Sequence, residues 1–203
     1  MFVATLEFAL LLTGCVTMTS IPREVGRPPT TEEQRSIDTF APRVITAARL
    51  EGFGCTDVPF AMIDMPNDGL RSIARPSADP CAFYVQINPK VLRHDTPAEL
   101  AGTFAHELGH VMNRDWTPQR AAVPQIERER QADAVAIRIL NRVGSAECLA
   151  QVQLLRKIRA ANIQAWGAEQ RDTMTTHPSY TERIRTFEAG CRPSGLVRVS
   201  SFG

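Results

Sequence analysis

Residues 96–110 read TPAELAGTFAHELGH, and this stretch bears on both the fold and the chemistry. Thr96-Pro97-Ala98-Glu99 offers a hydroxyl for the N-cap and a proline at the first helical position, where no N–H is needed. It also places a glutamate three residues after the cap, which completes a capping box. Leu100, Phe104, Leu108 and Val111 follow at helical spacing, so a helix over about 97–113 is expected. Inside it, His106-Glu107-Leu108-Gly109-His110 sets two histidines one turn apart on one face. Two imidazoles so placed can converge on one Zn²⁺, with Glu107 in reach as base toward a water at the metal.

A third ligand is sought downstream. No third histidine follows at the short spacing of the metzincin pattern. The helix expected from Pro124 to about Val143 offers Glu127, Glu129 and Asp133 instead. Glu129 and Asp133 share a stripe with Ile126, Ala136 and Leu140, whereas Glu127 shares its face with Gln131, Ala134 and Arg138. A carboxylate on the apolar stripe is costly unless it is paired or bound to metal, which selects Glu129 as ligand. Asp133, one turn on, can accept the free ring N–H of a ligating histidine.

Upstream, Thr30-x-x-Glu33 is a capping box for a helix to about Glu51, with Pro42 a kink or restart. Val58–Met65 and Leu70–Arg75 read as strands. Cys81–Asn88, with Phe83, Val85 and Ile87 alternating against Tyr84 and Gln86, is the strongest strand. It is expected at the sheet edge, open to an extended peptide by β-augmentation. Downstream, Ser145 is read as the cap of a helix through about Trp166. A last helix runs from about Ser179 to Glu188. The expected fold is α+β, mainly helical, with a small sheet before the metal helix.

The chain of 203 residues suits one ordinary domain, expected over 31–203. A net charge of +1 without a basic block gives no footprint for nucleic acid. Phe8–Leu12 is too short an apolar run to span a bilayer, and it leads into Leu12-Thr13-Gly14-Cys15, which resembles a bacterial lipobox. Glu7 and the absence of Lys or Arg before the run depart from that pattern. Residues 1–15 are thus expected to be a signal peptide ending at a lipidated Cys15, and 16–30 a tether. That places the domain on the periplasmic side of the envelope, anchored to a membrane, expected to be the outer one. Cys55, Cys81, Cys148 and Cys191 remain, and pairing Cys55–Cys81 and Cys148–Cys191 would tie neighbouring segments.

Glu129-Arg130-Gln131-Ala132-Asp133 reads E-x-x-A-D, and Thr176-His177-Pro178 followed by Arg183-Ile184 reads T-H-P-x-x-x-x-R-I. With HELGH, in this order, these motifs make the chain over roughly residues 36–190 resemble the zinc metallopeptidase family of the CAAX prenyl endopeptidase and the HtpX-like peptidases, in particular its compact members without transmembrane helices. The resemblance implies a gluzincin fold, one zinc held by His106, His110 and Glu129, a catalytic Glu107, and His177 and Arg183 near the site. The gap between His110 and Glu129 is shorter than in larger relatives. His177 is then an oxyanion donor, a fourth ligand that imposes latency, or a helix-entry residue before Pro178. Arg183 holds substrate backbone or Glu129, or forms a buried ion pair. His94, just before the Thr96 cap, reads as a surface loop residue. The implied function is endopeptidase action on extended, unfolded polypeptide. The alternative is a zinc-holding chaperone that binds without cutting, for which Glu107 would have no use.

Overall fold

A computed structural model describes residues 25–64, 69–74, 79–169 and 176–191. The expected signal peptide, Cys15 and the first part of the tether lie outside them. Two helices open the fold, α1 (Thr31–Asp38) and α2 (Ala41–Leu50). The Thr30–Glu33 capping box is formed, and Pro42 restarts the helix within the first turn of α2. Strands β1 (Phe60–Met62), β2 (Leu70–Ala74) and β3 (Phe83–Ile87) form one sheet, followed by the short α3 (Val91–His94). His94 therefore ends a helical turn, and it is exposed. Then come α4 (Pro97–Asn113), a 3₁₀ turn at Pro118–Arg120, α5 (Gln125–Val143), α6 (Ser145–Trp166) and α7 (Tyr180–Gly190). The protein is α+β and mainly helical. Ser145 begins α6 but does not cap it, because Gly144 occupies the N-cap position without a side-chain bond.

The strand order is β1-β3-β2, with β1 parallel and β2 antiparallel to β3. This corrects the expectation that Cys81–Asn88 is an edge. All five residues of β3 are buried, so the strand is covered on both faces and bonded on both sides. Phe83, Val85 and Ile87 face the helices, while Tyr84 joins Val25 and Ala61 in a small cluster behind the sheet. The outer edge of β1 is met by Arg27, whose backbone exchanges bonds of 2.9 and 2.7 Å with Met62. The stretch read as a tether thus already belongs to the fold at Val25–Arg27. The outer edge of β2 carries no strand among the described residues.

Helix α4 is the axis of the domain. Its Thr96–Glu99 capping box is formed, with Glu99 N donating to Thr96 Oγ1 and Thr96 N donating to Glu99 Oε2. Phe104 is fully buried between Phe40 and Phe60, with ring centroids 5.8 and 5.5 Å away. Burying such a ring stabilises by about 2–3 kcal/mol. Helix α5 lies directly against α4, and α6 and α7 close the far side. Cys55–Cys81 links the segments that lead into β1 and β3, and Cys148–Cys191 links the first turn of α6 to the end of α7. In the chain-entropy picture, loops of this size are each worth about 4 kcal/mol or slightly less. No helix among the described residues is long and apolar enough to cross a membrane.

Candidate metal centre and active site

His106 and His110 project from one face of α4 with their Nε2 atoms 3.1 Å apart. Glu129 comes from α5, its Oε2 lying 3.2 Å from His106 Nε2 and 3.5 Å from His110 Nε2. The helices can approach this closely because Gly109 lies against the backbone of Ala132. Glu129 is 5% exposed, as the apolar stripe required, whereas Glu127 turns outward to Gln131 and Arg130.

Each histidine is oriented from behind by a carboxylate. Asp133 Oδ1 is 2.8 Å from His106 Nδ1, and Asp115 Oδ2 is 2.7 Å from His110 Nδ1. A carboxylate at Nδ1 selects the Nδ1–H tautomer and leaves the Nε2 lone pair pointing into the site. Two nitrogen lone pairs and a carboxylate oxygen then converge within 4.8 Å of one another. Glu129 Oε2 is buried and hydrogen-bonded to neither ring. Such an acceptor-only cluster repels itself unless a cation lies at its centre, so the residues fit a divalent metal.

The local field has the same sign. Burial works against a charged His110, but Asp115, Glu129 and Glu107 around it hold its pKa up at about 10. His106 is likewise raised, burial being outweighed by the charge of Asp133. Glu129 falls well below the carboxylate range, because the two imidazoles outweigh its burial. The raised histidines and the lowered Glu129 have one cause, an acidic pocket that draws a cation, whether a proton or a metal ion, to the Nε2 side of the two rings.

Sequence reasoning missed Asp115. Arg114 ends α4 in the left-handed region at φ 54°, which folds the chain back so that Asp115 N–H meets His110 O at 3.2 Å. Arg120 then holds the other oxygen of Asp115 at 3.0 Å. An aspartate just past the helix end, five residues after His110, was the available signal, but no pattern named it. Gly109 was missed as well, being an unspecified position in H-E-x-x-H.

Arg183 on α7 forks onto Asp133, with Nε 2.8 Å from Oδ2 and an Nη atom 2.6 Å from Oδ1. Of its readings, the buried ion pair is the one observed; Glu129 is not its partner. The pair in turn holds Asp133 at a pKa of about 2, burial being outweighed by the charge of Arg183. His177 is 43% exposed, with Nε2 3.5 Å from Glu129 Oε1 and Thr176 Oγ1 2.8 Å from Nδ1. Partial burial lowers its pKa.

Glu107 is 7% exposed and lies where two clefts meet. The first, about 440 Å³, runs past Leu70 of β2, Trp116 and Arg128. The second, about 300 Å³, lies toward α6. No protein-family model, curated protein or solved structure matches the chain. Assignment of the site therefore rests on its own geometry.

Proposed function

We propose that the protein is a zinc-dependent endopeptidase of zincin-like fold, exported and tethered to a membrane through Cys15. The observation that carries this reading is the His106–His110–Glu129 cluster, backed on both imidazoles by carboxylates and flanked by the buried Glu107. Two histidines and one glutamate are a donor set suited to zinc, and three protein ligands leave a position open, as in catalytic sites. A zinc ion bound there supplies Lewis acidity toward a carbonyl and lowers the pKa of water toward neutrality.

The chain's own residues do the rest. Glu107 takes the proton of the attacking water as the new C–O bond forms and the carbonyl becomes an oxyanion. It then gives that proton to the amide nitrogen, whose C–N bond breaks as the carbonyl re-forms. His177, set by Thr176 at Nδ1, offers its Nε2–H to the oxyanion. The second reading of His177, as a latency ligand, draws on the same 3.5 Å approach to Glu129.

Polypeptide binds extended against the outer edge of β2, beside the cleft that Leu70 lines. Pairing of that kind reads backbone rather than side chains, which suits unfolded or misassembled envelope proteins as substrates. The two disulfides favour an oxidising compartment.

Casein digestion by the zinc-loaded protein tests the activity. Glu107→Gln is expected to lower the rate by about 10²–10⁴-fold with full zinc content by elemental mass spectrometry. A rate that Glu107→Gln does not change would rule out the mechanism. Mass spectrometry of the purified protein tests the anchor, which requires an acylated Cys15 as its first residue.

A further inference from the structure

Three arginines around the metal cluster close onto acids of the protein: Arg120 onto Asp115, Arg130 onto Glu182 and Arg183 onto Asp133. Arg128, one residue before Glu129, does not. It is half-buried, its Nη1 donates to the backbone oxygen of Asp115 at 2.8 Å, and no carboxylate among the described residues pairs with it. Its Nε is enclosed without a partner. Nη2 has no partner either, but it is not enclosed. Arg128 lines the cleft of about 440 Å³ beside the cluster, so Nη2 is the nitrogen that a molecule in this cleft meets. Nε–H and one Nη2–H leave the same edge of the planar group, which is an edge that carboxylates grip.

The other polar groups of the cleft do not duplicate this charge. Arg71 pairs in register with Gln86 and donates from Nε to its Oε1 at 2.5 Å, while Gln86 Nε2 donates to Val25 O behind the sheet. The Arg71 side chain is thus drawn to the sheet face away from the helices. Gln125 carries a neutral amide, which does not tell a carboxylate from another amide. His177 is turned to Glu129, and Asp115 is offset by Arg120. Glu107 and Glu129 oppose an anion, but a divalent ion at the cluster offsets both. The metal-loaded cleft therefore keeps one positive charge without a counterpart, that of Arg128. Leu70 and Trp116 give it apolar walls, with Trp116 stacked on Phe83 at 6.4 Å between centroids. Walls of low polarity strengthen the attraction between opposite charges.

We propose that Arg128 binds a carboxylate of the peptide substrate through Nη2, so that the cleft prefers acidic to neutral peptides. The carboxylate comes from an acidic side chain or from the carboxyl end of the chain, and both present the same group. The proposal deepens the peptidase reading and rests on it for the identity of the ligand as a peptide.

The test separates binding from cleavage. Alanine-rich decapeptides with blocked ends and one central Glu, Gln or Lys are titrated calorimetrically into zinc-loaded Glu107→Gln protein. A fourth peptide has the central Gln and a free carboxyl end. Wild type digests the same set. The Glu peptide or the free-ended peptide is expected to bind about tenfold tighter than the blocked Gln peptide, as one charge-assisted hydrogen bond at a half-open site allows. Whichever gains identifies the source of the carboxylate. Lys is expected to bind weakest. Adding Arg128→Gln is expected to bring the ratio to about one, Arg128→Lys to keep part of it, and Arg128→Glu to make the Lys peptide the tightest. Loss of the bond to Asp115 weakens all four peptides alike, so a merely structural role would leave the ratio in place. Salt supplies a measurement that needs no variant at Arg128. In 1 M NaCl the preference is expected to fall at least threefold, because charges are then screened within about 3 Å.

No preference for either carboxylate, a ratio untouched by Arg128→Gln or by salt, or no measurable binding of any peptide would each overturn the site. Equal cleavage of all four peptides overturns it and leaves the peptidase reading. Carboxylate-selective binding without cleavage by wild type does the reverse.

Discussion

At Gly109 the two helices that carry the candidate metal ligands touch backbone to backbone. A Cβ there would lie 2.6 Å from the carbonyl oxygen of Ala132 and 2.8 Å from its Cα. Neither atom can give way as a flexible side chain would, so Gly109→Ala must push α5 off α4. The expected cost is about 1–3 kcal/mol, together with weakened metal affinity because Glu129 moves away from both histidines. Thermal melting with and without zinc separates the two effects. Asp133→Asn and Asp115→Asn leave the ligands in place but alter the group that orients each imidazole. Each is expected to weaken metal binding by about 10–100-fold, measured by competition with a chromogenic chelator. The choice of Glu129 over Glu127 was legible in sequence because burial leaves a periodic trace. The role of Asp115 was not, because it depends on one left-handed residue, Arg114, that turns the chain back on itself.

Helix α4 was legible to the residue because its start signals are local and all formed. The sheet was legible in its strands and not in their order. Cys81–Asn88 reads as an edge strand, yet β3 lies between β1 and β2 and is buried on both faces, by the main core on one and by Val25 on the other. Order depends on pairing between distant segments, which periodicity within one strand does not carry. Arg27, tied to β1, donates two 2.6 Å bonds to Glu33 of α1, and these hold the Glu33 carboxyl at about 2 against its ordinary 4.5. A depressed folded pKa contributes stability that is fully present above about pH 4.5 and is lost as pH falls through about 2. Glu33→Gln is therefore expected to lower the melting temperature at pH 7 and to approach wild type near pH 2. A constant gap across that window would exclude the linkage. The contribution is small, because half of the Arg27 side chain is exposed to screening.

For the whole molecule, the core and the candidate metal cluster are separable. Phe40, Phe104, Leu108, Leu140 and Phe187 are buried regardless of the cluster, so chelation is expected to leave the helical circular dichroism intact. It should lower the melting temperature only by the linkage term, about 2.7 kcal/mol when zinc had been present at a hundredfold over its Kd. Collapse of the helical signal on chelation would mean instead that the ion holds the fold together. The Cys148–Cys191 bridge makes the chain from the start of α6 to the end of α7 a closed ring, and the stretch between Trp166 and Thr176 lies on that ring. One cut there leaves both pieces covalently joined, with α7 still tied to α6. Such nicked protein should run as one band without reductant and two with it, and should keep its helical circular dichroism until the bridge is reduced.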